Sequence, residues 1–99
     1  MDITAQELKQ KIENGDDFVL IDVREQHEHD EFNVGGKLIP LGEVMGSISK
    51  LQDQKDAEVV VYCRSGGRSG MAQQILQGAG FSNVRNLLGG MLTWQETFK

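Results

Sequence analysis

The chain is poor in the residues that staple or break structure. Among its 99 residues there is one cysteine, Cys63, and one proline, Pro40. A lone cysteine cannot form an internal disulfide, which suits a reducing compartment, and a cytoplasmic location is expected. No run approaches the ~20 apolar residues of a membrane span. Met1–Glu7 is polar and acidic, unlike a secretory leader, so no membrane partner is expected. There is no internal repeat and no low-complexity tract. Cationic excess is also missing: the net charge is −5, which argues against nucleic acid as a partner. A hydrophobic content of 38% argues against disorder, and the length fits one domain spanning residues 1–99.

One absence is local. From Val59 to Gln95 there is no acidic residue, while Arg64, Arg68 and Arg85 lie within that stretch. Met1 to Glu58 carries fourteen acidic and six basic side chains. Cys63 therefore lies in the only net-positive part of an acidic chain. Either the segregation is chance with a solvated acidic face, or it marks a small-anion site.

What is present alternates between short strands and helices. Thr4-Ala5-Gln6-Glu7 has the spacing of a capping box, and Leu8 and Ile12 continue at helical spacing to Asn14-Gly15. A helix is predicted over about 5–13. Phe18-Val19-Leu20-Ile21 is a continuous apolar run, as in a strand buried on both faces. Asp22 and Arg24 follow at its carboxyl end, where ligands gather in open parallel sheets. They either support a site there or pair with each other at the surface. His27 and His29 stand two apart in an acidic segment, with Phe32 as its expected inward anchor. Residues two apart do not share a helix face, and no further cysteine or histidine completes a set, so a solvated surface is expected and no metal. Leu38-Ile39 reads as a short strand stopped by Pro40. A helix over 41–51, with Val44, Ile48 and Leu51 inward, is weakened by Gly42 and Gly46.

Val59-Val60-Val61-Tyr62 is the strongest strand, and it runs into Cys63-Arg64-Ser65-Gly66-Gly67-Arg68-Ser69. A helix over 69–77 follows, with Met71, Ile75 and Leu76 inward. A strand over 84–87 and a last helix with Met91, Trp94 and Phe98 on one side complete the chain. Alternation of this kind predicts an α/β fold, with helices on both faces of a mainly parallel sheet.

A thiol is nucleophilic as thiolate, and three features of the loop favour that anion. The start of a helix supplies unpaired N–H groups and partial positive charge. Arg64 and Arg68 add full charges. Gly66 and Gly67 are expected to take positive-φ conformations, so that several N–H groups converge on one centre. The bland alternative is an inert buried cysteine before an ordinary turn.

This loop, preceded by Val60-Val61-Tyr62, resembles the active-site loop of rhodanese-type sulfurtransferases. Leu20-Ile21-Asp22-Val23-Arg24-Glu25, Ile39-Pro40-Leu41, Ala79-Gly80-Phe81-Ser82-Asn83-Val84 and Leu88-Gly89-Gly90-Met91-Leu92-Thr93-Trp94 resemble further family segments, in order, over nearly the whole chain. The resemblance implies a rhodanese-like three-layer domain with a parallel five-stranded sheet. It implies that Cys63 takes a sulfane sulfur from a small anionic donor such as thiosulfate, becomes a persulfide, and yields the sulfur to cyanide or a thiol. Arg64, Ser65, Gly66, Gly67 and Arg68 would bind the donor, Arg64 pointing outward and Arg68 closing the loop against Asp22. Asp22, Arg24 and Ser69 would support them. No metal or organic cofactor is implied, and a monomer is expected, with an acceptor protein as a further partner. The chain departs from many members at Asn33-Val34-Gly35-Gly36-Lys37, where they carry His-Ile-x-Gly-Ala.

Two rivals stand beside this. Cysteine phosphatases of the dual-specificity type place five residues between cysteine and arginine, against four here. A non-catalytic module that carries a persulfide or docks on a partner would need the same cysteine without turnover.

Overall fold

A computed structural model describes residues 1–99. Four parallel strands run β1 (Val19–Asp22), β2 (Lys37–Leu38), β3 (Glu58–Tyr62) and β4 (Asn83–Asn86), in the spatial order β2-β1-β3-β4. The helices are α1 (Ala5–Asn14), α2 (Gln26–Glu31), α3 (Leu41–Ser47), α4 (Gly67–Gly78) and α5 (Gly90–Thr97). The sheet has four strands, not the five that the resemblance implied. In the fifth position beside β4 lies a single bridge, Ile3 to Leu87. Ile3 N–H donates to Asn86 O at 3.0 Å, and Ile3 O accepts from Leu88 N–H at 2.9 Å. Thr4 then caps α1, accepting from Glu7 N–H at 3.1 Å, so the chain turns helical before a strand can extend.

β3 is central and buried on both faces, which explains its unbroken apolar run. Val59, Val61 and Cys63 face one layer with Val44, Ala72 and Leu76, from α3 and α4. Val60 and Tyr62 face the other with Leu8, Met91 and Trp94, from α1 and α5. Each buried valine contributes about 1.5–3 kcal/mol relative to an exposed one. Strand alternation therefore aims Cys63 at the side where α4 begins.

Several expectations change. The helix predicted over 41–51 is α-helical only to Ser47 and continues as a 3-10 helix over Ile48–Gln54. Gly42 and Gly46 weaken it, and Ser47 Oγ donates back to Glu43 O at 2.9 Å, which competes with the α ladder. Met71 is 58% exposed, whereas Leu76 is buried and Ile75 half-buried against the core as expected, with Ser69 and Ala72 completing the inner face of α4. Phe32 is 41% exposed and is no inward anchor. Its segment is tied by polar contacts, and its carbonyl accepts from Arg24 Nη2. Glu7 completes no capping box; its carboxylate takes Arg85 Nη2 at 2.8 Å.

At the departing stretch, Gly36 lies directly over Tyr62. A Cβ there would stand 2.7 Å from Tyr62 Cε1 and 2.9 Å from its hydroxyl, so only glycine fits.

Candidate active site

β3 ends at Tyr62, and Cys63 follows as the first residue of a tight loop that enters α4. The cysteine is 1% exposed. Its Sγ accepts from Gly66 N–H at 3.1 Å, from Ser69 N–H at 3.4 Å and from Ser69 Oγ at 3.3 Å. Burial pushes the thiol pKa up, but the donors of Ser69, Gly66 and Ser65 outweigh it and hold the thiol below its ordinary value. Ser69, placed by sequence among the supporting residues, is itself in contact with the sulfur.

The two loop glycines are not equivalent. Gly66 has φ +109°, a conformation open to glycine, and this turns its N–H onto the sulfur. Gly67 is already helical, and a Cβ there would meet nothing within 4 Å. The expected positive φ at Gly67 is absent because α4 begins there.

The floor of the loop is pinned from behind. Met91 N–H donates to Cys63 O and Leu92 N–H to Arg64 O, each at 2.9 Å. The start of α5 can approach this closely because Gly90, at φ +56°, has no side chain. A Cβ would lie 2.5 Å from Cys63 O.

Arg68 does not meet Asp22. Its guanidinium makes a two-point pair with Glu28 of α2, Nη1 to Oε1 at 2.7 Å and Nη2 to Oε2 at 2.9 Å. The bond from Arg68 takes the Glu28 pKa down to about 2. The Asp22 carboxylate is already saturated: Oδ1 accepts from Arg24 N–H and Nε, and Oδ2 from Arg24 Nη2 and His29 Nδ1. Asp22 is 0% and Arg24 5% exposed, so they do pair with each other, inside the protein rather than at its surface. Burial raises the Asp22 pKa, yet Arg24 and His29 together bring it below the usual value. Because an ionised Asp22 can only accept, His29 carries its proton on Nδ1. His29 thus belongs to a half-buried network, not to the solvated face expected for it. The network anchors α2, the helix that presents Glu28.

Arg85 is also committed, to Glu58 at 2.7 Å and Glu7 at 2.8 Å. Of the three arginines in the acid-free stretch, Arg64 alone is exposed and has no carboxylate partner. It lines a cavity of about 250 Å³ whose walls include Arg24, His27, Phe32 and Met91 and also the carboxylates of Glu28 and Glu31. Ser65 is exposed beside it.

Asn86 of β4 gave no signal in the sequence. Its Nδ2 donates to Gly66 O at 3.1 Å, and its Oδ1 accepts from Ser69 Oγ at 2.5 Å. It therefore ties the last residue of the loop to the first turn of α4.

A family model described as the rhodanese-like domain matches residues 4–97. The chain is 34% identical over 94 residues to YrkF of Bacillus subtilis, named as a sulfur carrier protein, covering 94% of this chain and 50% of that one. It is 33% identical over 94 residues to a protein of Allochromatium vinosum named a sulfurtransferase, covering 94% and 86%. It spans half the length of YrkF and 24% of the length of two further curated relatives. Among solved structures, a rhodanese-related protein from Thermoplasma volcanium superimposes with a TM-score of 0.84 at 28% identity, covering 97% of this chain and 91% of that one.

Proposed function

This chain belongs to the rhodanese-like domain family, and from that membership we propose that it is a thiosulfate-type sulfurtransferase working through a Cys63 persulfide. The observation that carries the reading is the convergence of Gly66 N–H, Ser69 N–H and Ser69 Oγ on one sulfur. A sulfur held this way is favoured as an anion relative to an ordinary thiol.

In the first half-reaction the Cys63 thiolate attacks the outer sulfur of thiosulfate. The sulfur–sulfur bond of the donor breaks, its electron pair leaves with sulfite, and Cys63 becomes a persulfide anion. In the second, cyanide or a thiolate attacks the terminal sulfur. The persulfide bond breaks, thiocyanate or an acceptor persulfide leaves, and the Cys63 thiolate returns. Arg64, exposed at the rim, binds the donor dianion. The amide donors of Gly66 and Ser69 stabilise the Cys63 thiolate that begins the first half-reaction and returns at the end of the second. Small sulfur anions, thiols or cyanide, and an acceptor protein are the partners of this reading, in the cytoplasm.

Arg68 bears on the phosphatase rival. Its guanidinium is held by both oxygens of Glu28, which offsets the charge that a phosphate ester would need there. The carrier reading draws on the name of YrkF. Mass spectrometry separates these. Thiosulfate should add one sulfur to the protein, cyanide should remove it, and Cys63→Ser should show neither. An adduct that cyanide cannot remove would favour the carrier, and Cys63-dependent turnover of a phosphate ester above the thiosulfate rate would overturn the assignment.

A further inference from the structure

Ser69 has one hydroxyl proton and two acceptors for it. Cys63 Sγ lies 3.3 Å from Ser69 Oγ on one side, and Asn86 Oδ1 lies 2.5 Å away on the other. The orientation of the Asn86 amide follows from its partners. Gly66 O can only accept, so the NH₂ group must face it, and this turns Oδ1 to Ser69. The residue is fixed in that position by β4. Its N–H donates to Asp2 Oδ1 at 3.1 Å, and its carbonyl accepts from Ile3 N–H.

We propose that Asn86 is a positioning residue of the sulfur-transfer site: its side-chain carbonyl holds the Ser69 hydroxyl proton while Cys63 Sγ is neutral and releases it to that sulfur when it is an anion. In the thiol state, S–H donates to Ser69 Oγ and the hydroxyl donates to Asn86 Oδ1. When the thiol proton leaves to solvent, Ser69 keeps its own proton and rotates it to the sulfur. When Sγ becomes the inner, uncharged sulfur of a persulfide, the hydroxyl returns to Asn86. No proton is gained or lost by Ser69 in any of these states. Asn86 therefore gives the hydroxyl somewhere to go, and sets how strongly the thiolate is favoured. The charges around this unit are Arg64 on the loop, Arg68 on α4 held by Glu28 of α2, the Asp22–Arg24 pair at the end of β1, and Asp2 at the Asn86 N–H.

The inference rests on Cys63 being the sulfur-carrying nucleophile, but its test needs no turnover. The wild-type protein, labelled with ¹³C and ¹⁵N, is titrated with pH while thiolate absorbance is recorded. The Asn86 side-chain carbonyl and amide resonances should shift with the same midpoint as the thiolate. In Ser69→Ala, which has no hydroxyl to rotate, that shift should vanish. Asn86 signals that stay still in the wild type, or that move equally in Ser69→Ala, overturn the proposal. A second measurement uses Asn86→Ala. With Ser69 present the hydroxyl is committed to sulfur, and the thiol midpoint should fall by about 0.5–1 pH unit. In the Ser69→Ala background the same substitution should produce no such fall. Equal shifts in both backgrounds, or a rise with Ser69 present, would assign Asn86 to holding Gly66 alone. Failure of sulfur transfer itself is read separately, from the mass of the thiosulfate-treated protein.

Discussion

Glu28 and Arg68 stand forty residues apart in the chain and meet through two parallel hydrogen bonds of 2.7 and 2.9 Å. Arg68 sits in the first turn of α4, one residue before the serine that donates twice to the sulfur. The pair therefore ties the acidic helix α2 to the start of the helix that holds the Cys63 sulfur.

Glu28→Gln should lower stability by ~1 kcal/mol at neutral pH, given a part-buried, two-point pair. The pKa of Glu28 is depressed from 4.5 to about 2 in the folded protein. Its contribution is complete above the unfolded value and disappears as pH falls through the folded one. Denaturant midpoints of wild type and variant should differ at pH 6 and converge near pH 2. A constant difference across that range would show that the carboxylate charge is not the cause.

Ser69→Ala removes one donor to the sulfur and, with it, part of what lowers the Cys63 pKa. The midpoint for alkylation by iodoacetamide should rise by about 0.5–1 pH unit. An unchanged midpoint would mean that the backbone donors of Gly66 and Ser69 suffice.

Gly66→Ala and Gly67→Ala should separate sharply. The first forces a side chain into φ +109° and should cost about 1 kcal/mol or more, with slower persulfide formation. The second enters open space at the start of a helix and should be neutral or stabilising by roughly 0.5 kcal/mol. Thermal melts and the rate of sulfur uptake check both.

Arg64→Ala should raise KM for thiosulfate roughly tenfold or more, as expected for losing a charge-assisted contact. The melting temperature should hardly move, because the side chain is exposed and pairs with no carboxylate. A large loss of stability with unchanged kinetics would reverse the role given to it.

The loop, the central strand and the alternation of elements were legible because each has a local cause. A β-branched run makes β3, a glycine at positive φ makes the turn, and a threonine caps α1. What pairs across the chain was not. The segregation of charge along the sequence suggested a basic site, but folding largely cancels it. Glu28 takes Arg68, and Glu58 with Glu7 takes Arg85, which leaves one unpaired arginine beside the sulfur. Residues forty or seventy-eight positions apart leave no periodic trace of such contacts. Asn86 escaped for the same reason, since it reaches Ser69 across seventeen residues from a neighbouring strand. His29 escaped because a helix with no buried residue carries no apolar pattern to orient it.

The close seating of α5 against the carbonyls of Cys63 and Arg64 limits how far the Cys63 side chain can travel. With its backbone clamped behind and its Sγ gripped in front, Cys63 cannot swing outward as a flexible arm. A persulfide formed there, as proposed, would extend the side chain by a single sulfur–sulfur bond, about 2 Å. On the proposed reaction a recipient would have to push its own nucleophile down to that depth, which would favour slender thiols and protruding cysteine-bearing tails over flat protein surfaces.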